Sequence, residues 1–350
     1  MRKIAVRTLQ IAVTLAAIAW VFRDPKIRDS LCSTVYKADG FWLVMGLLVS
    51  GIGHLSNILR WNIFLRVQKI QVTLRHAASL YLIGVFFNLL LVGASGGDIA
   101  RAFYIFYEQP GKRSQAILSV VADRLIGLVI LVPYTLGLVI IRYQWLAQTP
   151  VARGLLWFLI VFTVGAALVM AGTFIASRSG LVYKIPRSIP GREGILRTAE
   201  ACSLFLRARR QMLACVALSI PELFCVFGAF YCAARAYHAD VPLADMFSIM
   251  PVVAVITSFP ISLSGVGIRE ELFKNLLGDL SHISGGVAVL ISLAGFAIYV
   301  FWGMIGAVVY ACYKKQVATD SSKVANHTKV ESRLNMTGAT IPLKYPGLQK

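Results

Sequence analysis

Apolar residues fill eight stretches of this chain, and six of them run for about the length of a membrane crossing. The six lie at about 4–22, 41–59, 115–141, 154–176, 211–235 and 285–312, against the roughly 20 residues a helix needs to span the hydrocarbon core. The other two, 77–95 and 246–263, each run into a glycine-rich polar turn. These turns read Gly93-Ala94-Ser95-Gly96-Gly97-Asp98 and Ser264-Gly265-Val266-Gly267-Ile268-Arg269-Glu270. A second, mildly apolar stretch follows each. The pattern predicts an all-α polytopic membrane protein.

Composition removes the competing classes. The 350 residues are 57% hydrophobic and 15% charged, where a soluble domain carries roughly 25% charged residues. Disorder needs low hydrophobicity and is excluded as well. Lys and Arg number 35 against 16 Asp and Glu, a net charge of +19. In a soluble protein that excess would suggest nucleic acid. In a membrane chain it reports orientation and contact with anionic phospholipid headgroups, and no nucleic-acid partner is expected. Six cysteines without a CxxC and five histidines without an HExxH offer neither a disulfide framework nor a zinc site. No cofactor is expected.

Charge also separates two topologies. If all eight apolar stretches cross, 17 basic residues fall on each side, with Arg124 left inside a helix. If 77–95 and 246–263 open re-entrant hairpins instead, 24 basic residues fall inside and seven outside, with Arg101, Arg124, Arg269 and Lys274 at membrane depth. The second arrangement obeys the positive-inside rule. It predicts six full spans plus two re-entrant hairpins, with both termini cytosolic. Residues 41–141 and 211–312 then form two units of opposite orientation joined by the span 154–176. That is an inverted repeat, an architecture of secondary transporters with the site near the midplane. The membrane domain extends over 1–313. The start of the chain has features of a signal peptide, but its apolar run continues to Phe22 and reads better as an uncleaved first span. The basic segment 314–350 is expected to be a disordered cytosolic tail.

Ionisable groups at membrane depth are functional candidates because burying an unpaired charge is costly. They are Asp98 and Arg101 in the first hairpin, Asp123 and Arg124 in the following span, Glu222 after Pro221, and Arg269, Glu270 and Glu271 in the second hairpin. Structural ion pairing is the alternative reading, above all for Asp123. Glycines next to each other or one residue apart at a hairpin tip (Gly96 and Gly97, Gly265 and Gly267) let backbone N–H groups converge on an anion, and a following helix start adds its dipole. Arg101, Arg124 and Arg269 could supply bidentate donors to a phosphate. Asn88 could bond the broken backbone of the first hairpin. Arg60 reads as a snorkelling residue at the end of the second span. No paired carboxylates at catalytic spacing, nucleophile elbow or Walker A motif is present.

Three motifs carry a resemblance. The first runs from Phe86-Phe87-Asn88 through Gly96-Gly97-Asp98-Ile99-Ala100-Arg101 to Tyr104. The second is Val121-Ala122-Asp123-Arg124-Leu125-Ile126-Gly127-Leu128, and the third is Pro260-Ile261-Ser262-Leu263-Ser264-Gly265-Val266-Gly267-Ile268-Arg269-Glu270. In this order, over about residues 5–315, the chain resembles the flippase-like transmembrane domain of lysylphosphatidylglycerol synthases and its stand-alone bacterial and archaeal relatives. The family's first motif commonly has proline where this chain has Val92. The resemblance implies a lipid-moving domain of the bacterial cytoplasmic membrane. Its fused relatives carry a soluble aminoacyl-transferase domain after the membrane part. About 36 residues follow here, so synthesis of lysylphosphatidylglycerol by this chain is not expected. Substrates implied include aminoacyl-phosphatidylglycerol, polyprenyl-phosphate-linked lipids and hopanoids. An integral enzyme acting on a lipid headgroup, or a non-transporting partner of envelope-lipid synthesis enzymes, is the alternative. A homo-oligomer stays open.

Overall fold

The computed structural model describes residues 38–90, 96–179, 208–259 and 262–336, together with Arg192 and Leu196. Among them nine α-helices and two short 3-10 turns form the fold, with no strand. The helices are α1 Gly40–Val67, α2 Leu74–Leu90, α3 Gly96–Glu108, α4 Arg113–Leu146, α5 Pro150–Ser179, α6 Arg209–Ala236, α7 Leu243–Ser258, α8 Ile268–Ser281 and α9 Gly285–Met336. Five of them (α1, α4, α5, α6 and α9) are long and apolar enough to cross a membrane. The protein is an all-α polytopic membrane protein. The expected span 4–22 and most of the basic segment 177–210 lie outside the described residues.

Two boundaries differ from the sequence pattern. The stretch 41–59 was bounded by the polar residues Arg60 and Asn62, yet α1 continues to Val67. It can do so because Arg60 and Asn62 are both buried in protein, each 6% exposed. Segment 314–350 was expected without structure, whereas α9 carries a helical backbone through to Met336. Residues 314–336 contain neither glycine nor proline, so extending an existing helix needs no new nucleus; Gly338 and Pro342 lie beyond.

Helices α1 and α6 are built alike. Each has 28 residues. Each ends with a residue in the left-handed region, Lys69 at φ 58° and His238 at φ 52°. The following N–H then reaches back five residues: Ile70 to Leu65 at 2.9 Å and Ala239 to Ala234 at 3.0 Å. The apolar residue that makes this bond is buried in both cases, Ile70 at 0% and Ala239 at 6%. This is the Schellman closure, which satisfies helix-end carbonyls and anchors the exit of the chain. The Asp39 N–H donates to the Ala236 carbonyl at 2.8 Å, so the start of α1 and the end of α6 share one end of the bundle.

The remaining packing surrounds this α1–α6 pair. Helix α2 lies along α3 and along α9, α8 lies on α9, and α7 lies against α6 and α8. Trp61, Phe64, Phe227 and Phe273 are fully enclosed. Glycines let the first short pair close tightly. A Cβ on Gly97 would stand 2.2 Å from the Gly84 carbonyl oxygen and 2.8 Å from Asn88 Nδ2. The backbones of α2 and α3 must therefore separate if anything larger than glycine is placed there. Gly97→Ala should cost ~1–3 kcal/mol through overpacking, read as a lower melting temperature of the purified protein. Gly127, with nothing within 4 Å of the same built atom, should tolerate alanine with no such loss.

Candidate functional site

The densest set of charges lies where α1, α3, α4 and α6 meet. Asp123 of α4 is its hub. One of its carboxylate oxygens accepts Arg60 Nε at 2.7 Å, and the other accepts both terminal nitrogens of Arg101 at 3.2 Å. Arg60 also donates to Ser219 Oγ at 2.8 Å and approaches Glu222 at 3.6 Å, both on α6. Asp98, in the first turn of α3, binds Arg101 through one oxygen and Arg124 through the other. Arg101 lies over the rings of Trp61 and Tyr81, at 5.0 and 5.4 Å from their centroids.

Three carboxylates thus face three guanidiniums, and the group is neutral as a whole. Neutrality matters because an uncompensated charge in this setting would cost several kcal/mol (roughly). Exposure divides the members. Arg60, Arg101 and Asp123 are enclosed, while the Arg124 side chain is 51% exposed and that of Glu222 25%.

The second set is built around α8. Arg269 donates to Glu270 at 2.9 Å and to Ser292 Oγ at 3.0 Å, and Ser292 in turn donates to Glu270 at 2.8 Å. The other Glu270 oxygen accepts the Gly267 N–H, so this carboxylate caps its own helix. Gly265 and Gly267 have φ of +74° and +86°, conformations that glycine adopts without penalty. The Arg269 guanidinium lies 4.4 Å from the Phe296 ring centroid.

Asn88 joins the two glycine-rich turns. Its side-chain oxygen accepts the Gly97 N–H at 2.6 Å, and its backbone carbonyl accepts Ser264 Oγ at 3.1 Å. Asn88 therefore does bond the interrupted backbone of the first turn. The amides of Gly97 and Gly267 are already occupied by side chains of their own helix pairs. Any anion reaching the turns would meet the arginines rather than those two amides.

Of the residues singled out in the sequence, Asp98, Arg101, Asp123, Arg124 and Glu222 come together in one network. Asn88, Gly96 and Gly97 flank it, and Gly265, Gly267, Arg269 and Glu270 form the second set. Arg60 corrects the snorkelling expectation: it is buried and holds the first network together. Its signal was available, because Asn57, Arg60, Trp61 and Phe64 recur at helical spacing on one face. Ser219 shares a face with Glu222 in the same way. With Arg60 counted, five interior bases (with Arg101, Arg124, Arg269 and Lys274) match five acids (Asp98, Asp123, Glu222, Glu270 and Glu271). Among the described residues no three His, Cys, Asp or Glu side chains gather as a metal site.

Comparison with known proteins gives two similar membrane proteins and one family. A UPF0104 membrane protein of Methanothermobacter thermautotrophicus is 31% identical over 113 residues, 32% of this chain and 32% of the relative. A UPF0104 membrane protein of Pyrococcus horikoshii is 25% identical over 131 residues, 37% of this chain and 38% of the relative. Each match thus spans about a third of the relative's length. The family model of the lysylphosphatidylglycerol synthase TM region matches residues 7–307, a stretch that contains both charge networks and both glycine turns. By that match the chain belongs to the lysylphosphatidylglycerol synthase TM region family.

Proposed function

We propose that this chain is a lipid translocase of the bacterial cytoplasmic membrane, with both termini cytosolic. Its units 41–141 and 211–312 form an inverted repeat, and the pairs α2–α3 and α7–α8 are re-entrant hairpins. The packing supports the two-fold relation: exchanging α1 with α6, α2 with α7, α3 with α8 and α4 with α9 maps every packing contact among these eight helices onto a contact that exists. The matching lengths and endings of α1 and α6 support it independently.

The cargo is an anionic lipid with a phosphate in its headgroup. One observation carries this: a neutral, buried ionic network presents a single half-exposed guanidinium, that of Arg124, at the tip of the first hairpin. A phosphate can exchange with Asp98 on Arg124 while Asp98 keeps Arg101, so Asp98 does not lose its last ionic partner in the exchange. Aminoacyl-phosphatidylglycerol or a polyprenyl-phosphate-linked lipid fits this chemistry. A hopanoid without a charged headgroup would gain nothing from Arg124.

Native mass spectrometry of the purified protein with added phosphatidylglycerol tests the assignment. The protein should retain the lipid unchanged in mass, and Arg124→Ala should weaken retention about tenfold, the effect of one charge-assisted hydrogen bond. Equal retention by the variant would contradict the site. Conversion of the lipid to a new mass would contradict translocation and point to an enzyme.

A further inference from the structure

Each hairpin base is tied to the last helix of the opposite unit by a trio of side chains. At the end of the bundle where α1 finishes, Glu108 accepts His76 Nε2 at 2.7 Å and the Tyr313 hydroxyl. At the other end, Asp245 accepts Arg142 and, at 3.2 Å, Ser281 Oγ.

The residue types differ, but their places in the fold correspond. His76 and Asp245 are each the third residue of their helix, α2 from Leu74 and α7 from Leu243. Glu108 and Ser281 are the last residues of α3 and α8. Tyr313 and Arg142 lie equally far, within one residue, along α9 and α4. Two different chemistries thus perform one task at two-fold-related positions: an imidazole, a carboxylate and a phenol at one end, and a guanidinium, a carboxylate and a hydroxyl at the other.

We infer that these trios are paired latches, each closing one hairpin against the long helix of the other unit, so that releasing a latch opens the central site toward the membrane face on its own side. The inference rests on the translocase reading and adds to it the residues that choose the face. Neither hairpin can swing from its long helix without breaking its trio. The two seals differ in depth. Helix α2 also keys into α9, where a Cβ on Gly306 would stand 2.1 Å from the Leu82 carbonyl oxygen and one on Gly303 2.1 Å from Leu89 Cδ1. Helix α7 meets α4 over a shorter stretch, fixed by its latch and by the Tyr134 hydroxyl on the Phe247 carbonyl at 3.0 Å. The Arg142 latch should therefore be the easier one to open.

The test is labelling of a single cysteine at the meeting of the tips. Ser264→Cys is placed in a chain whose six cysteines are replaced, and a membrane-impermeant maleimide is applied to right-side-out and inside-out membrane vesicles. Asp245→Ala should raise labelling about fivefold from the face carrying residues 142, 245 and 281, the population shift expected for losing a charge-assisted contact. Glu108→Ala should raise it from the opposite face, by less. Ser281→Ala and Tyr313→Phe, which remove only a hydroxyl, should shift labelling in the same two directions and serve where the alanine variants do not accumulate. Unchanged labelling, or a rise from the same face in both cases, overturns the latches. Movement of fluorescent phosphatidylglycerol is measured in the same vesicles. Opposite labelling shifts without lipid movement would overturn the translocase reading and leave the latches standing.

Discussion

Asp123→Ala is expected to be among the most damaging substitutions in this chain, lowering stability by ~3–5 kcal/mol. The carboxylate is 4% exposed and is the shared partner of two buried guanidiniums. Removing it leaves Arg60 with Ser219 and a distant Glu222, and Arg101 with Asp98 alone. An unpaired buried charge is worse than no charge, so a second change should recover part of the loss. Arg60→Met in the Asp123→Ala background should be less destabilised than the two single effects combined, because the stranded guanidinium has gone. Asp123→Asn, which keeps the shape and one acceptor, should fall between the parent and the alanine variant. Thermal unfolding of the detergent-purified variants measures all of this. Equal stability of Asp123→Ala and the parent would mean that the network does not hold α1, α3, α4 and α6 together.

The second large effect belongs to Glu270. Its carboxylate is 2% exposed and accepts from Gly267, Arg269 and Ser292. Glu270→Ala should cost ~3 kcal/mol or more, because it uncaps α8 and strands Arg269 in one step. Glu270→Gln retains an acceptor for only part of this set and should lose less. Hydrogen exchange should localise the change: amides at the start of α8 should lose protection before those of α1 and α6. Uniform loss across the bundle would show that the second turn has no stability of its own.

The helical architecture was written in the hydrophobic pattern because length and apolarity alone set it. The five crossing helices of the described residues fall on five of the six expected runs. The two glycine turns were legible for a different reason: glycine clusters at the ends of apolar runs have a local conformational meaning. Partner choice was not legible. Asp123 and Arg101 stood out as charges at depth, but that they bind each other, and that Arg60 takes the second oxygen of the same carboxylate, depends on how α1 and α3 lie against α4. Helical spacing placed Arg60 on one face with Asn57, Trp61 and Phe64, but not which helix that face would meet. The occupation of Gly97 and Gly267 amides by Asn88 and Glu270 was equally hidden. Asn88 was visible as a bonding side chain, but Glu270 read as a charge rather than as a helix cap. The correspondence of His76 with Asp245 left no trace at all in residue type and came only from each being the third residue of its helix.

The central claim is that phosphate-bearing lipid moves between leaflets through this protein. The direct measurement uses purified protein in phosphatidylcholine vesicles doped with a headgroup-labelled fluorescent phosphatidylglycerol, quenched from outside by dithionite. Protein-free vesicles lose only the outer-leaflet signal. Vesicles containing the protein should also lose the inner-leaflet signal, and Arg124→Ala should return them to the protein-free curve. Folded protein that leaves the inner-leaflet signal untouched would contradict the account.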